Sequence, residues 1–267
     1  MLSDAKAAGV IRRLATVCAL PWTSQGDARY FTRQIGPLKH HLCRTVSKHL
    51  PYGVWPKLLF AWICTEIERT GSPKVLFGES LNQFLQQVGV TGSHQEGRWA
   101  STTGLCDQMR YFFSCVVGLK VSDELNTSSM THTTAAVADL RWEADDPTQN
   151  LLWTTSIEVH DPLFREIKSH PVALEVEVLA AALGSLLRLD LFLLLTYRMH
   201  DLTMPVQIPW EELRQHFGPE LEEGATEIAG NLPAAVSCEL GVLSAAWPAL
   251  DYVVTDGWLE VRPPLPR

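Results

Sequence analysis

The side chains whose types and spacing could do chemistry are cations and hydrogen-bonding groups gathered toward one end of the chain. Arg29, Arg33, Lys39, His40, His41, Arg44, Lys48, His49 and Lys57 are interleaved with Tyr30, Phe31 and Leu42. Lysine and arginine neutralise phosphates, so this is the composition of an arm that tracks a nucleic-acid backbone. The same charges would equally solvate a helix or pair with acids elsewhere in the chain. A second group, Arg98, Ser101, Thr102, Thr103, Gln108 and Arg110, accompanies a predicted helix over Ser101 to Cys115. Arg98 precedes that helix and could grip a phosphate, while Thr102 and Gln108 could reach base edges in a major groove. The plain alternative is an ordinary solvated helix face. Lys120 and Arg141, on predicted strands, could add contacts from a β-ribbon.

Other chemistry finds no constellation. The sequence has no Walker A motif, GxGxxG, HExxH or GxSxG. Asp145-Asp146 and Glu222-Glu223 sit in polar stretches and read as solvated charge. His40, His41 and Cys43 lack a fourth ligand at suitable spacing for zinc. The expectation is a protein that is not an enzyme and holds no metal and no cofactor. Six cysteines without a CxxC pair read as packed, reduced thiols of a cytosolic protein. Arg12-Arg13 and the short apolar run Leu14 to Leu20 lack a cleavage site, and the apolar stretch Val172 to Tyr197 is broken by Glu175, Glu177, Arg188 and Asp190. A cytoplasmic location away from membranes follows as the expectation.

The 267 residues suffice for one large domain or two smaller ones, and 46% hydrophobic content excludes a disordered or fibrous chain. The net charge of −8 hides an asymmetry: residues 1–57 hold nine basic and two acidic groups, while the remainder carries a net −15. No Lys or Arg occurs between Arg214 and Arg262, an interval that holds Glu220, Glu222, Glu223, Glu227, Glu239, Asp251, Asp256 and Glu260. Acids beside phosphates repel a duplex.

The elements that must position these groups follow from periodicity. Residues 1–49 lack a long periodic pattern and read as an arm, with one helix near Ala5 to Val17. Pro51-Tyr52-Gly53 is a turn, and Trp55, Leu58, Leu59, Trp62, Ile63 and Ile67 fall on one helical face that Thr70-Gly71-Ser72-Pro73 ends. Lys74 to Phe77 is a strand, and Ser80 with Gln83 makes a capping box for a short helix. After the helix over Ser101 to Cys115 come strands at Val116 to Val121, around Ala138 to Trp142 and at Trp153 to Val159. The polar stretches Ser122 to Thr134 and Glu143 to Asn150 read as hairpin tips. Three helices followed by a β-ribbon is a winged-helix plan. The same order recurs: helices over Ala173 to Leu183 and Ser185 to Met199, a strand at Val206 to Ile208, a helix over Trp210 to Phe217, and a hairpin turning at Asp256-Gly257. Gly224, Gly230 and Pro233 disfavour one continuous helix between them. The fold class is therefore α+β and mainly helical, with a basic arm (1–49) and two tandem winged-helix domains (50–160 and an acidic 161–267) carrying small β-ribbons.

These residues resemble the plasmid-encoded replication initiators of the RepA type, related more distantly to TrfA. The resemblance lies in Leu50-Pro51-Tyr52-Gly53, Pro56, Leu58 to Glu68, Thr70-Gly71-Ser72, Phe77 through Phe84, Gln108-Met109-Arg110, Leu152-Trp153, Phe164 through His170-Pro171, Leu194 to Met199 and Ile208 to Glu211. It covers about residues 48–218. It implies tandem winged helices that bind double-stranded DNA at repeated sites in a plasmid origin, help open it, and recruit host replication proteins such as a replicative helicase. It also implies an N-terminal unit that often serves as a homodimer interface and a C-terminal unit that makes the main DNA contacts. The family pattern places a Lys/Arg-rich helix after the equivalent of Trp210 to Phe217, and this chain departs from it there. That departure favours an alternative: a RepA-like fold acting as a protein-binding, DNA-mimicking module, in which Glu220, Glu222, Glu223 and Glu227 face a basic nucleic-acid-binding partner.

Overall fold

The computed structural model describes residues 20–35, 38–78, 81–88, 90, 102–122, 127–133, 137–139, 156–169, 175–199, 202–217 and 231–264. Two helices form its centre. Helix α1 (Val54–Thr70) begins after Gly53, whose positive φ of 79° suits glycine, and ends at Gly71 in the left-handed conformation with φ 68°. Sequence periodicity predicts one apolar face on α1. Instead Val54, Pro56, Lys57 and the run Leu58 to Cys64 are all buried, together with Ile67. The reason is that α1 lies in the middle of the molecule and packs on elements of both halves. Helix α6 (Leu186–Met199) is likewise buried along Leu187 and Leu189 to Thr196.

Around α1, the first half runs β3 (Lys74–Leu76), α2 (Leu81–Gln87), α3 (Thr102–Phe113) and, after a long excursion, β6 (Val137–Asp139) and β7 (Ser156–Glu158). Strand β3 pairs antiparallel with β7, and β7 with β6. Trp62, Phe77, Phe84 and Phe113 pack as tilted and edge-to-face rings 4.7–5.9 Å apart, joining α1, α2 and α3 in one aromatic core.

The second half contains α4 (Asp161–Ser169), α5 (Val176–Ala182) and α6, then β8 (Val206–Pro209), α7 (Trp210–Phe217), α8 (Leu232–Ala246), β9 (Asp251–Val254) and β10 (Trp258–Arg262). Its three-stranded sheet has the order β8-β10-β9, the same first-third-second order as β3-β7-β6. Mixed helix and sheet is as expected. Helix α8 begins only at the end of the stretch where Gly224, Gly230 and Pro233 disfavour one continuous helix. Pro233 disfavours helix propagation, yet it sits in the first turn of α8, where its missing N–H costs nothing, and Asn231 Oδ1 accepts the Ala234 N–H as N-cap.

The largest departure concerns the segment read as an arm. Its residues 30–35 and 38–44 form β1 (Tyr30–Ile35) and β2 (Leu38–Arg44), and β2 pairs with β4 (Cys115–Ser122), which pairs with β5 (Thr127–Thr133). The result is a four-stranded antiparallel sheet in the order β1-β2-β4-β5. Strand β5 also replaces the hairpin tip expected over Ser122 to Thr134. Residues upstream are tied down as well: Leu20 is buried, and the Gly53 N–H donates to the Pro21 carbonyl at 2.9 Å.

The apolar core is continuous across residue 160, running from Leu20 to Val261. Among the described residues no helix is long and apolar enough to cross a membrane, and no three His, Cys, Asp or Glu side chains gather as metal ligands.

Candidate nucleic-acid interface

Three of the residues singled out from sequence are taken by the fold itself. Gln108 is buried on α3, and its amide oxygen accepts the Tyr52 N–H at 2.9 Å, so it fixes the turn before α1 and does not face a groove. Arg33 is only 4% exposed, with its guanidinium carbon 5.4 Å from the centroid of the Phe31 ring. Arg44 donates to the backbone carbonyls of Asp27, Ser47 and Lys48, which holds together the loop after β2. Expectations of phosphate or base contacts by these three are therefore corrected. A guanidinium serves backbone carbonyls as readily as phosphates, as at Arg44, while burial takes Gln108 and Arg33 away from any groove.

Others remain on the surface. Lys39 and Lys48 are exposed, and Arg110 is exposed with Asp107 at 3.3 Å one turn away. That ion pair cancels the cationic character of the outer face of α3. Thr102 opens α3, and Lys120 lies in β4. Arg98, Ser101, Arg141, Glu220, Glu222, Glu223 and Glu227 lie outside the described residues, as do the helix expected near Ala5 to Val17 and the capping serine Ser80.

What the fold brings together is the four-stranded sheet. Register places Gln34, Lys39, Lys120 and Ser129 in one row across the strands, and Thr32, His41, Gly118 and Thr131 in the next row on the same face. The opposite face is sealed by Leu42, Val117, His40 and Arg33, all buried. On the outer face Tyr30, Thr32 and Lys39 are exposed, and the Thr32 hydroxyl hydrogen-bonds His41 Nδ1 at 2.9 Å. Sequence reasoning missed this hairpin. Its one local signal was Gly36-Pro37 between two runs rich in aromatic and apolar residues.

The second half presents a different surface. Arg165, Arg188, Arg198 and Arg262 each pair with a carboxylate. The outward positions of α8, Ala234, Ser237, Cys238, Gly241, Val242 and Ala245, contain no cation. Helix α8 is the next described helix after α7, and among the described residues that follow α7 the Lys/Arg-rich helix implied by the resemblance is absent.

A profile of the family described as plasmid encoded RepA protein matches residues 50–207, more than half of the chain. The chain belongs to the plasmid-encoded RepA family. Its RepA-family region begins at the turn before α1 and ends in β8, so it takes in α3, the sheet strands β4 and β5 and both central helices, but not β1, β2 or α8. Among solved structures, the chain is similar to crystal structures of domains 2 and 3 of RctB. One has 13% identity and a TM-score of 0.61, covering 95% of this chain and 98% of that one. The other has 14% identity and a TM-score of 0.57, covering 94% and 96%. No curated protein matches the chain. Family membership makes this RepA-family chain a protein of the replication-initiator type.

Proposed function

We propose that the chain binds repeated double-stranded DNA in a plasmid origin through two winged helices, and recruits replication proteins of the host such as a helicase. The observation that carries this reading is the repeated order of helix, strand, helix, helix and β-ribbon, with the first-third-second strand order in both halves, on a RepA-family chain. The two winged-helix units meet near residue 160. Net positive charge is confined to residues 1–49, which hold eight basic and two acidic groups against seven and twelve in residues 50–160, so the segment before the first unit strengthens the duplex contact. The chain is not an enzyme, and it acts in the cytoplasm, where such an origin lies.

The test is a gel shift on the direct repeats beside the gene, at a series of salt concentrations. Binding that weakens steeply with salt is expected, because each phosphate contact releases a counterion. Absence of a shift at every salt concentration, down to about 20 mM, would overturn the reading.

The cation-free outer face of α8 and the acidic interval favour a second reading, in which the trailing unit docks on a basic nucleic-acid-binding protein. Substituting Glu220, Glu222, Glu223 and Glu227 together by Lys would then abolish capture of that partner, and retained capture would remove the electrostatic rationale.

A further inference from the structure

We propose that Trp22, Lys57 and Asp190 are positioning residues: they fix the two winged-helix units in one mutual arrangement and so set the spacing at which the chain reads a duplex repeat. The spacing role rests on the proposed function, whereas the rigid joint rests on geometry alone. The three residues come from separate stretches of chain. Trp22 precedes β1, Lys57 lies near the start of α1 in the first half, and Asp190 near the start of α6 in the second. Lys57 Nζ lies 2.8 and 3.0 Å from the two carboxylate oxygens of Asp190, and Trp22 Nε1 donates to Oδ2 at 2.7 Å. The Lys57 and Asp190 side chains are 0% exposed, so bulk water does not compete for these contacts.

The segment that carries Trp22 is a strap across the two halves. Leu20 is buried, the Pro21 carbonyl accepts the Gly53 N–H at the foot of α1, and the Trp22 ring lies 6.4 Å from that of Phe217, the buried last residue of α7. One short stretch therefore holds the start of α1 together with α6 and α7. The polypeptide itself passes between the halves at residues 159–160, between β7 and α4. A single connection leaves a hinge, and the strap adds a second tie.

Stability does not account for the ions. Apolar side chains of similar volume commonly match or exceed a buried ion pair in stability. What the pair adds is a single register. Apolar surfaces slide over one another at little cost, whereas N–H···O contacts weaken steeply outside a narrow range of length and angle. Lys57 and Asp190 are the charged groups among the buried side chains of α1 and α6, and Thr196, the other polar residue buried on α6, bonds within its own helix. Two units on one duplex act as a bivalent reader, in which the second contact adds a factor of about 10²–10⁴ only where geometry lets both engage. One inserted base pair moves the second contact by about 3.4 Å and turns it by about 35°. A rigid joint cannot follow that displacement, and a loosened one can.

The experiment uses the full chain and two readouts. Anisotropy measures affinity for the duplex origin repeat and for the same repeat with one base pair inserted at its centre. Without DNA, spin labels on Cys238 and on Leu76→Cys, exposed positions in different halves, report the distance between the units in a Cys18→Ser/Cys43→Ser background. The variants are Trp22→Phe, which keeps a ring and loses the donor, and Lys57→Met/Asp190→Leu, which removes both charges. The wild type should show one narrow distance distribution and bind the inserted repeat at least about tenfold more weakly than the natural one. Both variants should show a broader distribution and bind the two repeats within about threefold of each other. The urea midpoint of the double variant should stay near that of the wild type. A merely structural role would move the midpoint and leave the spacing preference. Trp22→Phe carries the test should the double variant not fold. Variant distributions as narrow as the wild type overturn the joint whatever the DNA result. Equal wild-type affinity for both repeats, or variants as selective as the wild type, overturns the spacing role. If the wild type binds neither repeat, the proposed function fails and takes the spacing role with it, while the distance distributions still decide on the joint.

Discussion

Lys57 Nζ lies 2.8 Å from Asp190 Oδ1 and 3.0 Å from Oδ2, and both side chains are fully buried. The pair joins α1 to α6, the two helices at the centre of the molecule. Trp22 Nε1 donates to Asp190 Oδ2 at 2.7 Å, so the carboxylate has three donor contacts and the segment before β1 is drawn into the same knot. Burying α1 and α6 all round forces their polar positions inward, and an ion can remain there only beside its counter-ion.

Removing one partner should therefore cost far more than removing both. Lys57→Met or Asp190→Leu alone is expected to destabilise the chain by about 3–5 kcal/mol in urea unfolding, while the double variant should recover most of that loss. If the single losses simply add in the double variant, the pair is not coupled as described.

Gly71 ends α1 with φ 68°, and its N–H donates to the Ile67 carbonyl at 2.8 Å. A Cβ there would meet nothing closer than Lys168 Nζ at 3.9 Å, so the penalty of Gly71→Ala is conformational and not steric. A loss of about 1 kcal/mol is expected, with Gly71→Asn retaining more stability than Ala because Asn tolerates the left-handed region. Equal stability of the Ala and Asn variants would contradict that cause.

Glu212 on α7 is held below its ordinary carboxylate range chiefly by His216, whose Nε2 lies 3.7 Å from its carboxylate, with Arg198 adding to the effect and partial burial opposing it. Its stabilising contribution is complete above the unfolded value of 4.5 and disappears as pH falls through the lower folded value. At pH 7, Glu212→Gln should lose about 0.2–1 kcal/mol, because the group is partly exposed. The wild-type and Glu212→Gln stability curves should converge on acidification below pH 4. A gap that widens there would show the opposite linkage.

Burial pushes the thiols of Cys115 up to about 12 and Cys106 up to about 11, with Arg110 opposing the shift at Cys106. Neither supplies thiolate at neutral pH, whereas Cys238 is exposed on α8. A disulfide reagent at pH 8 should modify Cys238 in a fast phase and reach Cys106 and Cys115 only as the chain unfolds. The Cys238→Ser variant should lose that fast phase. Its persistence would assign the fast phase to a thiol other than Cys238.

Local periodicity made much of the fold legible. Helices α1, α6 and α7 and the turn at Asp256-Gly257 all carry their signals within a few residues. Gln108 also was readable: it lies three residues after Leu105 and four before Phe112, on the apolar stripe of α3. Its polarity drew attention outward, while its position pointed inward.

The amino-acid sequence by itself determined the helical segments, the left-handed stop at Gly71, the uneven charge along the chain and the motifs of the RepA family, because each is a property of neighbouring residues. Only the tertiary structure decided that residues 30–35 and 38–44 are strands and that Lys39 stands opposite Lys120. It alone also joined Lys57 to Asp190, which are 133 positions apart. A strand gains its hydrogen bonds and its buried face from a distant partner, and a buried charge gains its counter-ion the same way, so neither can be read within a local window.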